Sequence, residues 1–313
     1  MNHLTPPNFD YTAFELPENV SFTFHLGHHF NAADLPDWSV LDKTLRTVDI
    51  VIPEFVHDAG SKNVMAAIAM GRQKEYQQFQ ADIGDNDMGG WLHAFTSSLY
   101  GSRTSTANID VMDTHPSVDA YIRTEPAVRR AAAWSVRERF DDIVPILNAN
   151  LATIKERDQA ILENLKPEIE AIISKNGKLM KKREGQPLDV HLYYGATHTS
   201  LFDAIAFQQT LTSTEGVTLN KSSDSLENEL SQLNYANFVR DQDIQIEDVE
   251  RNFAYLIFAS HIKRLGFSNN NVSMRALQDS FFSIENALDL SSPTTIPKQI
   301  DEILRLGLLD ISS

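Results

Sequence analysis

The chain contains no cysteine. That removes disulfides, thiolate zinc sites and cysteine nucleophiles in one step. It has no excess of positive charge either: 27 Lys and Arg stand against 43 Asp and Glu, a formal net charge of −16. Without a general field for phosphates, nucleic acid is not an expected partner. The one dense basic run, Lys178, Lys181, Lys182 and Arg183, reads as a solvated helix end. No window approaches the roughly 18 apolar residues of a membrane span. Met1 to Pro17 lacks the basic and apolar stretches of a signal peptide, so the expectation is a soluble, cytoplasmic protein. Familiar chemical signatures are missing as well: no G-x-S-x-G, no Walker A loop, no G-x-G-x-x-G and no H-E-x-x-H. There are no solenoid-type repeats and no low-complexity segment.

What is present is enough apolar material for a sizeable core, 42% of 313 residues. The most informative stretch is 190–198, Val-His-Leu-Tyr-Tyr-Gly-Ala-Thr-His. Val190 to Tyr194 suits a buried strand, Gly195 permits a sharp turn, and His198 then stands beyond the strand's carboxyl end. Open α/β sheets place their ligands at that end. A similar piece lies early in the chain, where Ser21 to Leu26 is followed by Gly27, His28 and His29.

Between them the pattern alternates. Leu35, Trp38, Leu41 and Leu45 repeat at helical spacing, and 48–52 is a second buried strand ended by Pro53 and Glu54. Strand, helix, strand at this spacing predicts parallel strands and a right-handed crossover. Residues 62–82 read as a helix, 91–100 as a shorter one, and 108–112 as a third strand. In the loop between those helices Asp85 and Asp87 suggest calcium, but the Gly falls early for an EF-hand and Thr96 stands where the Glu is needed, so a turn is preferred. From Thr124 the pattern is helical for some 50 residues, with Pro145 expected to kink or divide it, ending near Asn176-Gly177. Beyond His198 come a helix to Gln209, a polar loop, and helical stripes marked by Leu226, Leu230 and Leu233, by Val249 to Leu265, and by Ile300 to Leu306. The prediction is an α/β protein with a central mixed or parallel sheet flanked by helices. Residues 1–212 form the α/β domain, and 213–313 form a helical C-terminal extension packing on it.

Candidate chemistry gathers at strand ends: His28 and His29 after the first strand, Glu54 after the second, with His57 three residues on, and His198 after the fourth. Two or three imidazoles with one carboxylate match a divalent transition-metal site with open positions. Such an ion polarises a carbonyl or phosphoryl oxygen and supplies hydroxide near neutral pH. Plainer readings stand beside this. Glu54 could cap a following helix, His57 could be a surface residue, and Arg157-Asp158 could belong to a solvated helix face.

The order of short motifs resembles the TraB/TIKI, ChaN-like and erythromycin-esterase-like superfamily over roughly residues 20–210. The residues that carry the resemblance are Leu26-Gly27 followed by His, then Asp49 to Glu54, then Glu156-Arg157-Asp158, and finally Gly195-Ala196-Thr197-His198. The first family motif is usually Gly-x-x-His, which would put Phe30 at the His position; here His28 or His29 must act from a shifted backbone. A second string, Glu250-Arg251-Asn252, follows the G-x-x-H motif, whereas the family order places its Arg pair before it, so Arg157 is preferred.

The resemblance implies a site shared by two similar halves and metal-assisted hydrolysis in some members, of peptides in the TIKI proteins and esters in the esterases. Other members bind haem or act in pheromone regulation. It further implies catalytic roles for Glu54, Arg157, Asp158 and His198. Glu54 would be a ligand or general base and Arg157 the partner of a developing oxyanion. His28, His29, Glu54 and His198 would hold Mn²⁺, Co²⁺ or Zn²⁺. Two readings result: a metal-dependent hydrolase of a peptide or small-molecule ester, or a catalytically silent ligand-binding or regulatory protein with the same fold.

Overall fold

Side-chain alternation builds the sheet. In β1 (Val20–Gly27), Val20, Phe22, Phe24 and Leu26 are fully buried, while Ser21, Thr23 and His25 point the other way and stay partly accessible. β2 (Ile50–Pro53) and β4 (Leu188–Gly195) are apolar on both faces for most of their length, as buried parallel strands require. Two short edges complete the sheet: β3 (Ser105–Thr106) beside β2, and β5 (Val217–Lys221) beside β1. The order is β3-β2-β4-β1-β5, and every pairing is parallel. The computed structural model describes residues 6–27, 38–54, 61–83, 89–107, 116–195, 198–212, 214, 216–222, 230–265 and 274–309. The strand expected at 108–112 lies outside these, as do His28, His29, His57, Asp85 and Asp87.

Helices cover both faces. On one side α1 (Trp38–Leu45), α2 (Ser61–Ala69), α3 (Gln73–Ile83) and α4 (Gly89–Leu99) enclose a core of Leu41, Leu45, Val51, Met65, Ile68, Phe95, Leu99 and Tyr193. On the other, the even-numbered residues of β1 and β4 pack against α6 (Val136–Lys175) and α8 (Thr199–Thr212). Connections running from β1 towards β2 and β3 use the first face, and those running back to β4 and β5 use the second, as right-handed crossovers demand. The direction reverses between β1 and β4. This is the switch point at which open α/β sheets form their ligand-binding crevice, beside the carboxyl ends at Gly27, Glu54 and Gly195.

Several elements depart from the sequence pattern. The helix expected over 62–82 is two, because Gly71 adopts φ 75° and ends the first. The helical stretch begins earlier, with α5 (Pro116–Ala131), and breaks between Ala131 and Val136. Pro145 and Pro167 sit inside the 40-residue α6, whose non-helical backbone falls instead at Arg139, where the guanidinium lies 3.6 Å from the Trp134 ring centroid. Asn176 is followed at once by α7 (Gly177–Arg183), whose first amides it caps. In α7 half of the basic run is anchored, Lys182 reaching Asp49 at 2.5 Å and Arg183 clasping Glu170 at 2.7 and 2.8 Å, while Lys178 and Lys181 are exposed as expected of a solvated helix end. The polar loop expected after Gln209 contains β5, an edge strand whose polar residues face solvent, so the sheet continues past residue 212.

The C-terminal third is helical. α9 (Leu230–Phe238) lies against α6. α10 (Ile246–Arg264), α11 (Met274–Ile284) and α12 (Ile296–Arg305) enclose their own core of Phe258, Ile262, Phe281, Ile300 and neighbours. Val249 and Phe253 tie α10 to Val136, Ile143 and Leu147 of α6. None of the described helices is long and apolar enough to cross a membrane.

Candidate active site

Three elements deliver the site. Glu54 continues β2 by one residue, its N–H donating to the Tyr193 carbonyl at 2.7 Å. His198 stands three residues beyond Gly195, the last residue of β4. Arg157 and Asp158 come from α6, whose buried stripe runs Leu151, Asp158, Ile161, Leu162, Leu165 and Ile169. Asp158 thus occupies a position at which helical periodicity calls for an apolar residue, and it is fully buried. A buried carboxylate persists only if its hydrogen-bonding capacity is met. Here Asp158 Oδ1 meets His198 Nδ1, and Oδ2 accepts the Tyr235 hydroxyl at 2.6 Å.

The other ring nitrogen, His198 Nε2, lies 3.1 Å from Glu54 Oε1. That same oxygen accepts Arg157 Nη2 at 2.6 Å, while Glu54 Oε2 accepts the Gly195 N–H. The four residues expected to act together, Glu54, Arg157, Asp158 and His198, are therefore one hydrogen-bonded group in the crevice at the carboxyl edge. Tyr194 packs edge-on against the His198 ring, centroids 5.5 Å apart.

Electrostatics follow from this enclosure. Burial alone would push the His198 imidazole down, but the Asp158 and Glu54 carboxylates outweigh it and raise the group to about 10. At neutral pH the ring is an imidazolium donating to both acids. The Tyr235 hydroxyl is pushed far up, first by burial and then by the Asp158 charge beside it, so it acts only as a donor. Exposure rises from zero at Asp158 to 12% at the Glu54 side chain and 17% at Arg157, so the group is approached from the Glu54 and Arg157 side.

Tyr235 is the participant that sequence reasoning missed. It lies in a helix with Leu230 and Leu233, and an aromatic there reads as core. The second Glu-Arg-Asn string does different work: Glu250 pairs with Arg137 at 2.8 Å and Arg251 with Glu285 at 2.6 Å, both binding helices together.

The donor set fits a divalent ion in part. Asp158 on Nδ1 stands where an outer carboxylate would orient a ligating histidine, and Nε2 and Glu54 Oε1, 3.1 Å apart, are the two atoms that could face an ion. Among the described residues no group of three or more His, Asp or Glu is arranged to hold a metal; His28 and His29, the other expected ligands, lie outside them. Compared with family models, curated proteins and solved structures, the chain matches none.

Proposed function

We propose that the chain is a metal-dependent hydrolase of peptide or ester bonds, of the TraB/TIKI, ChaN-like and erythromycin-esterase-like kind. It would act on a small molecule or peptide in the cytoplasm. The observation that carries this reading is the buried line Tyr235–Asp158–His198–Glu54 at the carboxyl edge of a parallel sheet, with Arg157 beside it. Asp158 fixes the imidazole and leaves Nε2 facing Glu54. Arg157 pairs with Glu54 and offers further donors to oxygen charge that develops on an acyl group. Glu54, held at both oxygens, is rigid enough to receive a proton at a defined place. Mn²⁺, Co²⁺ or Zn²⁺ held by His198 Nε2 and Glu54 Oε1, with His28 or His29 added, would contribute Lewis acidity and a hydroxide near neutral pH.

The test is metal analysis of protein prepared without chelators, followed by an ester and peptide panel on wild type and Glu54→Gln. A stoichiometric ion and turnover that Glu54→Gln abolishes support the hydrolase. One observation favours the rival, a silent ligand-binding or regulatory protein: both oxygens of Glu54 are already engaged within the chain. No retained ion and no turnover across the panel would leave that rival standing.

A further inference from the structure

Two more histidines meet on the opposite face of the sheet. His25 on β1 and His191 on β4 are diagonal neighbours, since β1 Thr23 pairs with His191 and His25 pairs with Tyr193. Their even-numbered neighbours enter the core against α6 and α8, so these odd-numbered rings stand on the other side from His198. His25 Nε2 lies 2.9 Å from His191 Nδ1. His191 is 8% exposed, and its remaining nitrogen, Nε2, lies 3.2 Å from Asp189 Oδ1. His25 is stacked flat on Tyr193, centroids 4.2 Å apart with planes 3° from parallel.

We propose that His25 Nε2 and His191 Nδ1 form a second transition-metal site, separate from the Glu54–His198 group and suited to Cu²⁺ or Ni²⁺. Two bonds of about 2.1 Å at a right angle place their ligand atoms about 3.0 Å apart, whereas a tetrahedral centre needs about 3.4 Å. The observed separation fits neighbouring corners of a square or octahedron, the geometry that tetragonal copper and nickel adopt. The Asp189 carboxylate, 3.2 Å from His191 Nε2, favours the proton on that nitrogen and the lone pair on Nδ1. Tyr193 holds the His25 plane. Water would fill the remaining positions, reached from the side of the partly accessible His25.

Without an ion the two rings share one hydrogen bond, His25 Nε2 donating to His191 Nδ1, and His191 carries its own proton on Nε2, 3.2 Å from the Asp189 carboxylate. On binding, the His25 proton moves from Nε2 to Nδ1 and His191 keeps its own, so both facing nitrogens present lone pairs.

The test is Cu²⁺ titration followed by electron paramagnetic resonance, in a His3→Ala background so that this histidine adds no Cu²⁺ ligand of its own. One bound Cu²⁺ with hyperfine structure from two imidazole nitrogens is expected in this background and after a further His198→Ala change. The signal should be lost in His25→Gln and His191→Gln. Asp189→Asn, at a more exposed position, should weaken binding by roughly 10–100-fold. No stoichiometric Cu²⁺, a two-nitrogen signal that survives His191→Gln, or one that disappears with His198→Ala would each overturn the site and leave a simple hydrogen-bonded pair. If the histidine variants fail to fold, unchanged affinity in Asp189→Asn overturns it alone. Loss of hydrolysis with this copper signal intact would count only against the hydrolase.

Discussion

The Tyr235 hydroxyl donates to Asp158 Oδ2 at 2.6 Å, joining two fully buried residues on α9 and α6. This bond completes the carboxylate's partners away from solvent. Tyr235→Phe keeps the ring and removes only the donor. The cost expected is about 1–3 kcal/mol, the penalty for a buried acceptor left unmet. An Asp158 stripped of this donor attracts the His198 proton more strongly, so the imidazole should titrate still higher. Urea unfolding and imidazole NMR of Tyr235→Phe measure both. A variant as stable as wild type, with His198 unmoved, would show that the bond contributes nothing.

The His198 imidazole stands at about 10, above the 6.5 of an unfolded histidine. A group whose folded value is raised stabilises fully below its unfolded value and loses that contribution as pH rises through its folded value. Wild-type stability should therefore decline from about pH 6.5 to about 10, by an amount on the order of a few kcal/mol. His198→Gln should lack that part of the slope. Parallel unfolding curves for the two proteins across this range would contradict an imidazolium held between Asp158 and Glu54.

If an ion binds Nε2, the imidazolium must first lose its proton. Binding of Mn²⁺, Co²⁺ or Zn²⁺ at neutral pH should then release close to one proton from His198. Calorimetry in buffers of different ionisation enthalpy reads this directly. An ion at a hundredfold excess over its dissociation constant should add about 2.7 kcal/mol to stability. His198→Ala should lose both effects.

Arg157 touches Glu54 at 2.6 Å through a partly accessible face. Arg157→Ala should cost about 1–2 kcal/mol, less than a deeply buried pair because water reaches the exposed edge. If the site hydrolyses esters or peptides, the same change should lower kcat by roughly 10²–10³-fold, the usual loss for an oxyanion donor. Arg157→Lys should recover part of the stability and less of the rate, since it cannot place two donors in one plane. Equal kcat for wild type and Arg157→Ala would remove Arg157 from the chemistry.

β1, β2 and β4 could be read from the sequence because β1 alternates apolar and polar residues, β2 and β4 are nearly continuous apolar runs, and Gly27 and Gly195 punctuate two of the three. β5 could not, because Thr218, Asn220 and Lys221 are exposed and a polar edge strand resembles a loop. Gly71 was visible but ambiguous: a glycine inside an apolar period is tolerated as often as it terminates, and only its left-handed backbone decides. Within the candidate site, Glu54 and His198 were marked by strand ends. Asp158 carried a signal of its own, a charge at the helical spacing of Leu151, Leu162 and Leu165, which the neighbouring charges obscured. Tyr235 carried none, since a buried tyrosine and a buried phenylalanine leave the same periodicity.

Gly216 precedes β5 with φ 71°, and a Cβ there would collide with Asn19 Oδ1 and stand 3.1 Å from Asn19 Cα. Asn19, itself at φ 52°, leads into β1, so the two turns nest where these strands begin. Gly216→Ala meets two penalties, a left-handed backbone and a collision. Together they should cost about 1–3 kcal/mol. The damage should be local, because β5 is a short edge strand with polar residues. Amide exchange should accelerate at Val217–Lys221 well before it does in β4. Adding Asn19→Gly removes the colliding side chain and relaxes its own left-handed backbone. The double variant should then be more stable than the sum of the single changes predicts, a coupling of roughly 0.5–1 kcal/mol. Strict additivity, with β5 exchange no slower than in Gly216→Ala alone, would mean that the two turns do not touch.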